Sequence, residues 1–65
     1  MRDFEFYVTD DRYVVRSLLV VTMMDATDAL ATAERLVAEP HHLAVEVWER
    51  GERLFALSAT DPSKA

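Results

Sequence analysis

Residues 3–9 alternate strictly, with Phe4, Phe6 and Val8 set against Asp3, Glu5, Tyr7 and Thr9. A period of two places the two sets on opposite faces of a β-strand, one apolar and one charged. The same period returns at 43–48, where Leu43, Val45 and Val47 oppose Ala44, Glu46 and Trp48. It returns again at 53–58, with Leu54 and Ala56 against Phe55 and Leu57. Between these stretches lies one segment of different rhythm. Ala26, Ala29, Leu30, Ala33, Leu36 and Val37 recur at helical spacing and make a single apolar stripe of mostly small side chains. A chain with several half-apolar strands and one half-apolar helix buries both by laying the helix on the sheet.

The punctuation agrees. Asp25 is a good N-cap for the helix and Asp28 follows three residues on, close to a capping-box spacing. Both carboxylates favour the positive end of the helix dipole. Pro40 ends the helix, because it has no amide hydrogen and its ring clashes with the preceding turn. Asp10-Asp11 supplies the first turn and Arg50-Gly51 the last, where glycine takes the positive φ that tight hairpins demand. The expected fold is α+β: a β-β-α-β-β two-layer sandwich, with one four-stranded antiparallel sheet and one helix on one face. It fills residues 1–59 as one domain, and 60–65 read as a disordered polar tail.

The second strand, from about Tyr13 to Met24, breaks the pattern. Leu18, Val20 and Met24 fall on one face and Leu19, Val21 and Met23 on the other, so both faces are apolar. Such a strand calls for cover on two sides, yet the chain offers only one helix. Strand orders 1-2-4-3 and 2-1-3-4 both keep every neighbour antiparallel. The doubly apolar strand favours 1-2-4-3, which places it inside the sheet.

Sixty-five residues make one small core. A chain of this size buries only roughly 60 % of its unfolded surface. Small domains recover the deficit with disulfides, metals or oligomerisation. With no cysteine, disulfides and thiolate metal sites are excluded, and oligomerisation is the support left. The net charge is −5, and the basic residues are spread along the chain, which disfavours phosphate backbones. Charges at Arg2, Asp3 and Glu5 do not suit a signal peptide, and Leu18–Val21 is far short of the ~20 apolar residues of a membrane span. The cytoplasm is the expected location.

Three groups of residues bear on function. His41-His42, with Glu39 and Glu46 near in sequence, contains common metal ligands but none of the H-x-x-x-H or H-E-x-x-H spacings, and reads as a polar loop. Asp10-Asp11 reads as a turn rather than an acid–base pair. One glycine gives no phosphate loop, and Ser17, Ser58 and Ser63 have no local nucleophile context. The expectation is therefore no enzyme, no cofactor and no metal. The third group is the open sheet face, where Tyr7 and Trp48 would stand with one side of the second strand. Tyr7, Leu19, Val21, Met23 and Trp48 are the expected interface, an apolar patch for a second copy or another protein. The two aromatics also suit base stacking, but Glu5, Glu46, Glu49 and Glu52 repel phosphate.

The opening Met1-Arg2-Asp3-Phe4-Glu5-Phe6, the Asp10-Asp11 turn, the alanine-rich helix and the run Ala44 to Leu54 resemble short bacterial proteins of unknown function with a ββαββ layout. That resemblance covers residues 1–57 and implies the same fold, with no activity attached. Asp25 to Leu30 is also similar to the helix opening of HicB-like antitoxin domains, which implies a regulatory role as an alternative.

Overall fold

A computed structural model describes residues 1–59. The elements run β1 (Arg2–Asp10), β2 (Ser17–Met23), α1 (Ala26–Val37), β3 (His42–Glu49) and β4 (Glu52–Ser58). All neighbouring strands are antiparallel, as an α+β sandwich of this layout requires. The expected tail at 60–65 lies outside the described residues.

The strand order is β2-β1-β3-β4, which corrects the preference for an interior second strand. β1 and β3 take the centre because the core is built from their single apolar faces. Phe4, Phe6 and Val8 from β1 and Val45 and Val47 from β3 are buried under Ala29 and Ala33 of α1. The two phenylalanines are larger than anything β2 offers, and the alanines let the helix come close above them. Val21, Met23, Leu36, Val37, Leu54, Phe55 and Leu57 close the edges of this core. Burying a residue of the Phe or Val kind is worth about 1.5–3 kcal/mol, so the centre carries most of the stability.

Local signals act as their chemistry dictates. The Asp25 carboxylate accepts from the Asp28 amide at 3.0 Å and caps α1, while Pro40 stands just past the C-cap Ala38. Arg50 and Gly51 both have positive φ, 54° and 77°, the primed geometry that matches strand twist in a two-residue hairpin. The first connection is longer than the sequence implies. β2 begins at Ser17 rather than near Tyr13, because the Asp10 carboxylate takes the Arg12 amide at 2.8 Å and turns the chain. Among the described residues no helix is long and apolar enough to cross a membrane.

A register shift between Val47 and Trp48 inserts Leu54 as an extra residue of β4, since Val47 faces Phe55 while Trp48 faces Arg53. Leu54 thereby joins Phe55 against the core instead of opposing it. At the far end of the sheet Arg2 holds Glu49 through two bonds of 2.7 Å, a fork that ties β1 to β3. That bond, with the Arg2 charge beside it, keeps the Glu49 carboxyl below the usual range.

Candidate functional site

The register decides which side chains share the open face. Glu5 faces Val20, Tyr7 faces Leu18 and Asp3 faces Thr22 across β1 and β2. Glu5 faces Trp48 and Tyr7 faces Glu46 across β1 and β3. Directly opposed residues point the same way, so Tyr7, Trp48, Glu46, Leu18 and Val20 lie on the face away from α1. Tyr7 and Trp48 stand where the alternation puts them.

Leu19, Val21 and Met23 do not. They face Phe6, Phe4 and Arg2, which puts all three on the helix side. Val21 and Met23 pack against the core there. The open-face set is instead Leu18, Val20 and Thr22. A strand apolar on both faces carries no signal for which face is which, and a one-residue change of register exchanges them.

The aromatic pair sits in a bonded cluster. The Tyr7 and Trp48 rings meet edge to face, with centroids 6.0 Å apart and planes at 74°. The Trp48 indole N–H donates to Glu46 Oε1 at 3.0 Å, and Arg16 reaches Glu46 Oε2 at 3.2 Å. The Arg16 guanidinium lies 5.3 Å from the centre of the Tyr7 ring, a cation–π position. The Trp48 hydrogen bond first, then the Arg16 and Arg53 charges, hold the Glu46 carboxyl below the usual range. Both rings are half-buried, and the Trp48 N–H and Glu46 carboxylate find their partners within the chain.

The unsatisfied surface lies beside this cluster. β2 is an edge strand with no charged residue along Ser17–Met23. Leu18, Leu19 and Val20 remain 54, 45 and 56 % exposed, and Val14 and Val15 of the preceding bend are 103 and 76 % exposed. Leu19 is on the helix side, but the helix lies over β1 and β3 and leaves it uncovered. An apolar edge with free backbone groups is a template for another strand.

The two turns that sequence reading treats separately meet in space. The Asp11 amide donates to the His41 carbonyl at 2.8 Å, and His41 Nδ1 lies 3.0 Å from Asp11 Oδ1. Deeper in, His42 Nδ1 donates to the Leu36 carbonyl at 2.5 Å, and its Nε2 lies 3.8 Å from Asp10 Oδ2. Asp10 is buried and takes both Arg12 Nε at 3.1 Å and Nη2 at 2.9 Å. These bonds from Arg12 push the Asp10 carboxyl down to about 2. The arrangement fastens the end of α1 to the end of β1. Among the described residues no three histidines or acids converge as a metal site. The contacts run in reverse order, Asp10 with His42 and Asp11 with His41, and no spacing in the sequence signals them.

No family model, curated protein or solved structure matches the chain.

Proposed function

We propose that the chain is a small, non-catalytic homodimeric protein-interaction module of the cytoplasm. One observation carries the reading: β2 is an uncharged edge strand that leaves Leu18, Leu19 and Val20 about half exposed in a chain of net charge −5. Acidic copies repel over most of their surface, and β2 is where they approach without opposing charges. Covering these three side chains in both copies contributes on the order of 5 kcal/mol. That matches only the low end of the association cost, about 4 kcal/mol or more, so backbone pairing and the 13–15 bend must add to it. A micromolar dimer corresponds to about 8 kcal/mol net, so backbone pairing and the bend must supply most of the affinity.

Sedimentation or light scattering from about 1 to 100 µM tests the reading. The wild type is expected to pass from monomer to dimer in this range, and Val20→Lys to stay a folded monomer by circular dichroism. A wild type that remains monomeric throughout overturns it.

A second reading, a nucleic-acid-binding or antitoxin-like regulatory domain, is favoured by Arg16 over Tyr7 beside Trp48. It requires quenching of Trp48 fluorescence by single-stranded oligonucleotide at low salt, reversed by added salt. Asp3, Glu5 and Glu46 on the same face weigh against it.

A further inference from the structure

We propose that two copies join β2 to β2, antiparallel and centred on Leu19, to make one continuous eight-stranded sheet. The proposal rests on the homodimer reading and adds its geometry and register.

The first support is a palindrome of apolar side chains. Within β2, pairing about Leu19 sets Leu18 against Val20 of the other copy, and the same register, carried on as the 14–16 bend straightens against the partner, sets Val15 against Met23 and Val14 against Met24. Arg16 then meets Thr22, and Ser17 meets Val21. Every apolar residue that Val14–Met24 exposes thus meets an apolar counterpart, and the one charge in the segment meets a hydroxyl. Moving the centre by one residue, to Val20, sets Val15 against Asp25 and Arg16 against Met24. The segment is self-complementary in one register, as a two-fold contact requires.

The second support separates edge pairing from face stacking. Leu19 lies on the helix side and Leu18 and Val20 on the open side. A face-to-face stack reaches only one of these sides, whereas edge pairing covers both at once. Stacking also takes Asp3, Glu5 and Glu46 out of water against their own copies. Charges buried without new partners are costly. The uncharged β2 edge needs no such desolvation.

The third support is the helix side of the junction. A two-fold normal to the sheet puts both helices on the same side. A groove of about 520 Å³ runs between β2 and α1, lined by Val21, Met23, Met24, Ala31, Thr32 and Arg35 among others. The Leu19-centred register brings Val15 of one copy, on the helix side like Leu19, to the mouth of this groove in the other. The bend that precedes β2 thereby becomes part of the contact.

Cysteine cross-linking tests this, because the chain has no cysteine of its own. Two Leu19 residues on the axis have Cα atoms about 4.5–5.5 Å apart, within reach of a disulfide. Leu19→Cys is expected to form a covalent dimer under mild oxidant at least about tenfold faster than Glu5→Cys, which reports on the centre of the open face. A mixture of Leu18→Cys and Val20→Cys, which keeps Leu19, is expected to give the mixed disulfide in preference to either homodimer. A wild-type dimer in which Glu5→Cys links and Leu19→Cys does not overturns the edge pairing and leaves the homodimer standing. A wild type that stays monomeric by sedimentation overturns both.

Discussion

The sheet has two edges of equal length, β2 and β4, and they are finished differently. β4 turns Leu54, Phe55 and Leu57 toward the core and carries Glu52 and Arg53 at its outer end. The register shift at Val47/Trp48 also disturbs its outer line. Charges and irregularities of this kind keep an edge from pairing with another chain. β2 carries no charge, has no shift in its register with β1, and exposes apolar side chains on both faces. The same fold thus closes one edge and leaves the other open. Simple scarcity of cover explains part of this. One helix of twelve residues roofs two central strands and reaches inward-facing residues of β4, but leaves the start of β2 bare.

The largest expected effect comes from erasing the difference. Replacing Glu52 and Arg53 together by valine gives β4 a neutral apolar edge. A chain with two self-pairing edges grows without closing. Light scattering is then expected to show assemblies that enlarge with concentration, where the proposed wild-type dimer is expected to stop at two copies. A variant that keeps the wild-type size shows that the register shift alone guards β4.

Next in size is the contrast in folding stability. Phe55→Ala on β4 removes a half-buried ring from the core and is expected to cost about 2–3 kcal/mol in urea unfolding. Leu19→Ala on β2 is expected to cost under about 1 kcal/mol at concentrations where the chain is monomeric. Its effect appears instead in concentration dependence. On the proposed dimer, the wild-type melting temperature is expected to rise with protein concentration and Leu19→Ala to flatten that rise. Equal losses for the two variants at low concentration would mean that β2 is part of the monomer core.

The contrast between the edges also marks how far the sequence could be read. β1 and β3 alternate with one apolar face each, so Phe4, Phe6, Val45 and Val47 announce the core directly. Asp25, Pro40 and Arg50-Gly51 act locally, through caps, a missing amide and positive φ, and need no tertiary partner to be recognised. β2 gives no such signal. With both faces apolar, nothing local tells Leu18 and Val20 from Leu19 and Val21, and only the pairing with β1 assigns them. Strand order is likewise a property of the packed whole. It follows from which strands can place phenylalanines under a helix of alanines. Tyr7 and Trp48 could be placed together on one face from their alternation, but not the Arg16 and Glu46 that fasten them.

The smallest expected effect concerns the connection that delivers the chain to β2. Asp10 is buried at the end of β1 and holds the Arg12 amide and guanidinium, which turns the chain into the exposed bend before β2. The Arg12 hydrogen bonds lower its carboxyl from 3.8 to about 2. A carboxyl lowered by folding stabilises the native state above its unfolded pKa and loses that contribution as pH falls through the folded one. The Asp10 contribution is therefore whole above about pH 4 and fades toward pH 2. Asp10→Asn keeps the size of the side chain and discards the charge. It is expected to unfold at lower urea than the wild type at pH 7, with the gap narrowing between pH 4 and 2. Glu46 and Glu49 are lowered as well, so the absolute acid stability of either protein mixes several groups, and the difference between the two proteins isolates Asp10. If Asp10 serves the bend rather than the core, the variant also loosens the 11–16 segment, and faster amide exchange there precedes any change in β1 or β3. A gap that stays constant from pH 7 to 2 would place the role of Asp10 in its shape and not its charge.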